Sequence, residues 1–153
     1  MTFTLDVNVL LYAADTLSPH HRPARDLVER LAAGPEIAYL FWPTLVGFVR
    51  MATHPAILVE PLSVADALAN VEQLLDRPHV KAPGEQESFW RHFSDVAVDA
   101  RPSGNLVADA HLVALMRENG VRTIWTHDRD FHRFSGIEVR DPFAAGKKGG
   151  AAD

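Results

Sequence analysis

The chain has 153 residues, about one domain's length, and its 47% hydrophobic and 23% charged residues exclude a disordered or collagen-like protein. Cysteine is absent, which excludes disulfides, thiolate zinc sites and a cysteine nucleophile, and suits a reducing cytoplasm. The net charge of −5 excludes a whole-molecule positive field, so any nucleic acid has to be met by a local basic rim or bridged by metal ions.

The N-terminal stretch MTFTLDVNVLLYAAD carries Asp6 early and has no basic segment, which argues against a signal peptide. Thr2–Leu5 reads as a strand running into an apolar stretch with helical spacing, Val9 to Ala14. His21 to Ala33 is predicted as an amphipathic helix, with Ala24, Leu27, Val28 and Leu31 on one face, ended by Gly34-Pro35. Glu36–Phe41 reads as a buried strand. Pro43 then suits the first residue of a helix reaching Thr53, which His54-Pro55 stops. The apolar run from Ala38 to Val49 is interrupted by Pro43 and falls short of the roughly 20 residues a membrane span needs.

Ser63 is placed as the N-cap of a helix through Asp76, with Asp66 three residues on. Glu85–Val98 is predicted as a further helix and Pro102-Ser103-Gly104 as a turn. From Asn105 a strongly periodic helix runs to Asn119-Gly120, and Arg122–Thr126 and Ile137–Arg140 read as two last strands. Residues 1–143 form one domain on this reading, and the low-complexity end, Ala144–Asp153, is expected to be a disordered tail. Strand–helix alternation predicts an α/β sandwich with a mainly parallel sheet. Neither GxGxxG nor GxxxxGK[ST] occurs, so the usual nucleotide-binding loops are missing.

Three aspartates stand where packing alone explains them poorly. Asp6 closes the first strand and Asp128 follows the strand Ile124-Trp125-Thr126, so both fall at strand carboxyl ends, where open parallel sheets bind ligands. Asp109 shares a helical stripe with Leu106, Val113 and Met116, which puts a carboxylate on a core-facing row. A buried carboxylate protonates, pairs or binds a cation, and three meeting without an obvious Lys or Arg between them suggest a divalent metal. Simpler roles compete: helix capping for Asp6 and Asn8, a turn for Asp128 and Asp130, and an ion pair of Asp109 with an arginine such as Arg50. Two other chemistries compete as well. One is phosphotransfer through Asp6, although Asp6-Val7-Asn8 lacks the second aspartate of a DxD pattern. The other is a zinc site of His127, Asp128 and His132, although the eight histidines are scattered and no HExxH occurs. Arg22, Arg25, Arg50, Lys81 and Arg101 are candidates for a phosphate-contacting rim, and Tyr39, Phe41, Trp42 and Phe48 are expected in the core.

Leu5-Asp6-Val7-Asn8-Val9-Leu10-Leu11-Tyr12-Ala13, then Phe41-Trp42-Pro43-Thr44-Leu45-Val46-Gly47-Phe48-Val49-Arg50, then Gly104-Asn105-Leu106-Val107-Ala108-Asp109-Ala110-His111-Leu112 and Thr126-His127-Asp128-Arg129-Asp130-Phe131 follow one another along nearly the whole chain. In these stretches it resembles the PIN-domain nucleases, and among them the VapC-type toxins of bacterial toxin–antitoxin pairs. The resemblance implies a three-layer α/β/α fold with a central, mainly parallel sheet. It also implies a Mg2+ or Mn2+ site and cleavage of RNA by water, leaving a 5′-phosphate and a 3′-hydroxyl. Asp6, Asp109 and Asp128 fall on the family's metal-associated acids, Asp6 and Asp109 as ligands and Asp128 as the group that positions or deprotonates the water. Asn8 and Thr126 fall on its supporting polar positions. A cytoplasmic enzyme with a cognate antitoxin partner and a homodimeric state are implied too. Gly47 departs from the pattern, standing where many members carry a glutamate. Its loss is expected to weaken a second metal position, and a non-catalytic binding module is the reading it would favour.

Overall fold

Alternation along the first strand decides the layering of the molecule. A computed structural model describes residues 1–144. In it, Phe3 and Leu5 of β1 (Thr2–Leu5) face one hydrophobic cluster, while Thr4 and Asp6 lie on the opposite face, as a period of two requires. The chain continues through α1 (Val7–Ala14), α2 (His21–Ala32), β2 (Ile37–Tyr39), α3 (Trp42–Ala52), α4 (Val64–Leu75), β3 (Val80–Lys81), α5 (Phe89–Ala100), α6 (Leu106–Glu118), β4 (Thr123–Trp125), a 3-10 turn (Arg129–Arg133) and β5 (Glu138–Arg140). The strands form one sheet in the order β3-β2-β1-β4-β5, every neighbouring pair parallel.

One hydrophobic cluster joins the inner faces of α1 to α4 to Phe3, Leu5, Ala38 and Leu40. The other joins Val96 of α5 and the buried residues of α6 to Phe41, Ile124, Phe131 and Phe134. The fold is therefore the expected three-layer α/β/α sandwich. The chain starts in the middle of the sheet, fills one side through β2 and β3, and returns to place β4 against β1. The boundary between β1 and β4 is a switch in strand order, and in open parallel sheets ligands collect at the strand carboxyl ends beside such a switch.

Most elements stand where the pattern predicts, and the differences have local causes. Ser63 caps α4 by accepting the Asp66 N–H at 3.1 Å. Gly34 ends α2 at φ +82°, with the His79 ring where a Cβ would lie. Helix α3 begins one residue earlier than expected, at Trp42, so Pro43 is its second residue, where a missing N–H is still harmless. Helix α5 starts at Phe89, not Glu85, because Glu118 of α6 takes the Gln86 N–H at 2.9 Å and the Ser88 hydroxyl at 2.8 Å. Those bonds hold the preceding segment in a non-helical path. Strand β3 is a two-residue edge, too short to leave a pattern. Trp42, expected in the core, is 43% exposed at the start of α3, whereas Phe41 and Phe48 are buried and Tyr39 half-buried. Of the expected tail, residues 144–153, all but Ala144 lie outside the described residues. Among the described residues no helix is long and apolar enough to cross a membrane.

Gly47 lies inside α3, where a Cβ would meet only the Val7 side chain, at 3.8 Å. That is ordinary contact, so close packing does not require glycine here, and the position leaves open space beside the start of α1. Gly47→Ala should therefore raise stability by about 0.5–1 kcal/mol, the helical preference for alanine. For a domain of this size that is a rise of about 2–3 °C in Tm by differential scanning calorimetry. A fall in Tm would mean that the helix cannot accept a side chain at this position.

Candidate active site

Asp6 follows β1 and occupies the N-cap position of α1, yet its side chain makes no capping bond there. Its carboxylate turns to β4, where Oδ2 accepts the Thr126 hydroxyl at 2.8 Å and lies 3.5 Å from the Asn8 side-chain nitrogen. Thr126 is fully buried and its oxygen also accepts the Asp128 N–H at 2.9 Å. Asp128 Oδ1 in turn accepts the Asp130 N–H at 2.9 Å and so caps the 3-10 turn. The turn reading of Asp128 and Asp130 is thus correct as far as it goes. The same bonds also present both carboxylates at the sheet edge.

From the other side α6 brings Asp109, half-buried in its first turn. Asp109, Asp128 and Asp130 each offer a carboxylate oxygen, all within 4.8 Å of one another, the arrangement a shared cation would need. Among the expected site residues the structure therefore unites Asp109 with Asp128, and adds Asp130. Asp6 is buried beside them, outside that set but close enough for its charge to act on Asp109. Asp130 was legible in sequence only as a turn residue, and its spacing of two from Asp128 is the one signal that pointed to it.

Electrostatics set the state of these acids. Burial, then the charges of Asp6, Asp128 and Asp130, push the Asp109 carboxyl from its ordinary 3.8 up to about 7, with the Arg133 charge opposing. Asp6 is raised as well, first by burial and further by Asp128, with the Thr126 hydrogen bond opposing. No ion pair relieves Asp109 among the described residues, and the alternative partner Arg50 is exposed on α3. Helix N-termini at α1 and α6 offset part of this charge, since backbone N–H dipoles point toward Asp6 and Asp109.

Hard carboxylate oxygens without cationic partners fit a divalent ion of the Mg2+ or Mn2+ kind. The set contains no histidine: His127 donates or accepts at Nδ1 with Asp141 at 2.9 Å, and zinc held by His127, Asp128 and His132 is not the arrangement found among the described residues. Of the expected rim residues, Arg25 is paired with Glu29 at 3.0 Å on α2.

Charge repulsion of this kind makes stability depend on pH in a stated direction. Asp109 holds its proton more tightly folded, at about 7, than at the ordinary 3.8, so the folded state binds more protons between those values. Stability of the metal-free protein therefore falls as pH rises through that window. In chelator-treated protein, Tm should be higher near pH 5.5 than near pH 8, and Asp109→Asn should flatten the difference and raise Tm at the higher pH. Thermal melts across that range check it, and equal slopes for the two proteins would show that Asp109 is not under charge strain.

Comparisons with known proteins bear on the family and the fold. The family model for the PIN domain matches residues 3–137. Ribonuclease VapC48 of Mycobacterium tuberculosis is 51% identical over 144 residues, covering 94% of this chain and 99% of the relative. Ribonuclease VapC43 of the same organism is 38% identical, covering 90% and 93%. Among solved structures, the M. tuberculosis toxin VapC20, described as cleaving the sarcin–ricin loop, superposes with a TM-score of 0.65 at 18% identity, covering 90% of this chain and 98% of that one. VapBC2 from Rickettsia felis, bound to a promoter DNA fragment, gives 0.67 at 13% identity, covering 92% and 98%. At those identities the two structures speak for the fold, while the family model and the closer relatives speak for descent: the chain belongs to the PIN-domain family, in its VapC group.

Proposed function

We propose that this protein is a metal-dependent endoribonuclease, the toxin of a toxin–antitoxin pair, working in the cytoplasm. The observation that carries the reading is the convergence of Asp109, Asp128 and Asp130 at the carboxyl edge of the sheet, beside Asp6, in a chain 51% identical to a ribonuclease. Asp6 and Asp109 would hold a Mg2+ ion, for which Mn2+ can substitute. When bound, the ion supplies Lewis-acid stabilisation of phosphoryl charge and makes a coordinated water more acidic.

The remaining work belongs to the chain. Thr126 fixes Asp6 by donating to Oδ2, which leaves the other oxygen for a ligand, and Asn8 lies beside the same oxygen. Asp128 is held by its own N–H on Thr126 and positions the attacking water or takes its proton. Attack on phosphorus then breaks the bond to the 3′-oxygen and leaves a 5′-phosphate and a 3′-hydroxyl. Gly47 supplies no carboxylate from α3, so those of the site come from the residue after β1, from α6 and from the turn after β4. The carboxylate set argues against the non-catalytic reading: a binding module has no need of uncompensated charge there.

The partner has a place as well. A groove of about 390 Å³ runs between α1, α2, α3 and α4, lined by Leu10, Ala13, Val28, Phe48 and Leu74, with Arg25 on its rim. An amphipathic antitoxin segment fits such a surface, apolar on one side and acidic toward the arginine. The toxin itself is read as a homodimer.

Two experiments test the reading. With the purified chain and total cellular RNA, Asp6→Asn and Asp109→Asn should each reduce cleavage by at least about 10²-fold, as chelator should, the scale expected when a group stabilising the transition state is removed. Sequencing of RNA ends reads both the loss and the 5′-phosphate. Cleavage that survives either substitution or excess chelator would falsify the mechanism. Separately, co-expression with the neighbouring small gene product should give a complex larger than the free toxin by light scattering, and Arg25→Glu on the exposed rim of the groove should weaken that complex without abolishing cleavage.

A further inference from the structure

The 3-10 turn Arg129–Arg133 has three residues per turn, which sorts its side chains into three rows. Phe131 and, just past the turn, Phe134 form the inward row, 1% and 3% exposed, with rings 6.2 Å apart inside the core. Their burial fixes the rotation of the whole segment. Asp130 and Arg133 share a second row, and Asp130 brings its carboxylate within 4.8 Å of those of Asp109 and Asp128. Side chains three apart eclipse in this helix, so Arg133 stands on the acidic side, one turn, roughly 6 Å, beyond Asp130. Arg129 and His132 make up the third row.

Arg133 is exposed and has no hydrogen-bond or ion-pair partner among the described residues. Against burial and three carboxylates that raise Asp109, it is the cation whose charge reaches that group. A polyanion approaching this edge meets the charges of Asp6, Asp109, Asp128 and Asp130. A strand can be held there only by a cation placed among or beside them. A guanidinium is suited to that task, since its planar fork pairs with two phosphate oxygens at once.

We propose that Arg133 is the phosphate-holding residue of the site, its guanidinium binding a backbone phosphate of single-stranded RNA beside the carboxylates and so fixing where the strand lies. This rests on the RNA-cleaving reading above and adds a substrate contact to it. The two phenylalanines make the contact rigid: a cation on an unanchored loop would surrender side-chain and backbone entropy on binding, whereas this turn is already set.

The test measures binding, not turnover. Fluorescence anisotropy of a 5′-fluorescein single-stranded RNA of about 12 nucleotides, in chelator so that no strand is cut, gives Kd between about 50 and 200 mM salt. Arg133→Gln, which keeps most of the stem, should weaken binding about tenfold and lower the slope of log K against log salt by about 0.7, the amount for one phosphate on a single strand. Arg133→Lys should retain that slope, since it retains the charge, while losing part of the affinity. Arg30→Ala, in the last turn of α2 and so at the opposite end of the sheet, should leave both unchanged. Arg133→Glu provides a second reading, with a larger loss than Gln. Thermal melts identify folded variants. Folded Gln and Glu variants with wild-type affinity and slope overturn the proposal even if RNA cleavage is intact. A wild-type chain that neither binds nor cuts RNA overturns the ribonuclease reading instead.

Discussion

A hydroxyl has one proton to give, and Thr126 gives it to Asp6. Its oxygen is then left to accept the Asp128 N–H, and Asp128 in turn accepts from Asp130. Both N–H groups can only donate and both carboxylates only accept, so every bond of the relay has one possible direction. The relay ties the end of β1 to the end of β4 across the switch in strand order and sets the start of the 3-10 turn. It also aims the carboxylates of Asp128 and Asp130 toward Asp109 without using any of them up. A buried hydroxyl is enough to do this because the alternative, an unsatisfied Asp6 oxygen and Asp128 N–H, costs about 1–3 kcal/mol per group.

The fold thereby holds charge that it does not neutralise. Asp109 sits near the middle of the physiological pH range because burial and three neighbouring acids oppose its ionisation. Helix N-termini at Asp6 and Asp109 soften the repulsion, but each contributes only tenths of a kcal/mol to about 2 kcal/mol. The stability that tolerates it comes from the two hydrophobic clusters on either side of the sheet, the second of which takes Phe131 and Phe134 from the turn that carries Asp130. Anchored by those two rings, the turn presents its acids from a fixed position. Gly47 belongs to the same economy of space, since an accessible position beside Val7 is left without a side chain.

The sequence carried the layers and the main acids because those signals are periodic. Period-two alternation in β1 and the apolar stripe of Leu106, Val113 and Met116 around Asp109 are visible without coordinates. What escaped had another cause in each case. The start of α5 is set by Glu118, some thirty residues away in sequence, and no local rule contains that contact. The two residues of β3 are too few for any period. Asp130 and Arg133 were hidden by a change of period: the sequence shows no sign of the short 3-10 turn in which residues three apart eclipse and these two share a row. Trp42 was assigned to the core for its size, although the face of α3 it occupies turns outward.

One element touches both functional surfaces. Helix α1 begins immediately after Asp6, and its Leu10, Ala13 and Ala14 line the groove between the helices. At 1.5 Å of rise per residue, the groove opens about 6 Å along the helix axis from Asp6 and extends to about 12 Å. A chain seated in the groove therefore lies within one or two helical turns of the acidic edge, although it packs on the opposite layer from Asp109. Such an occupant can act on the site in two ways: by carrying a cation of its own around the start of α1, or by restraining α1 and with it the Asp6–Thr126 bond. The first would compete directly with a bound ion or phosphate. The second would leave Asp109, Asp128 and Asp130 in place and change only the floor beneath them. The short reach favours the first, because an arginine or lysine side chain spans about the distance from the groove mouth to Asp6, and the uncompensated carboxylates attract it.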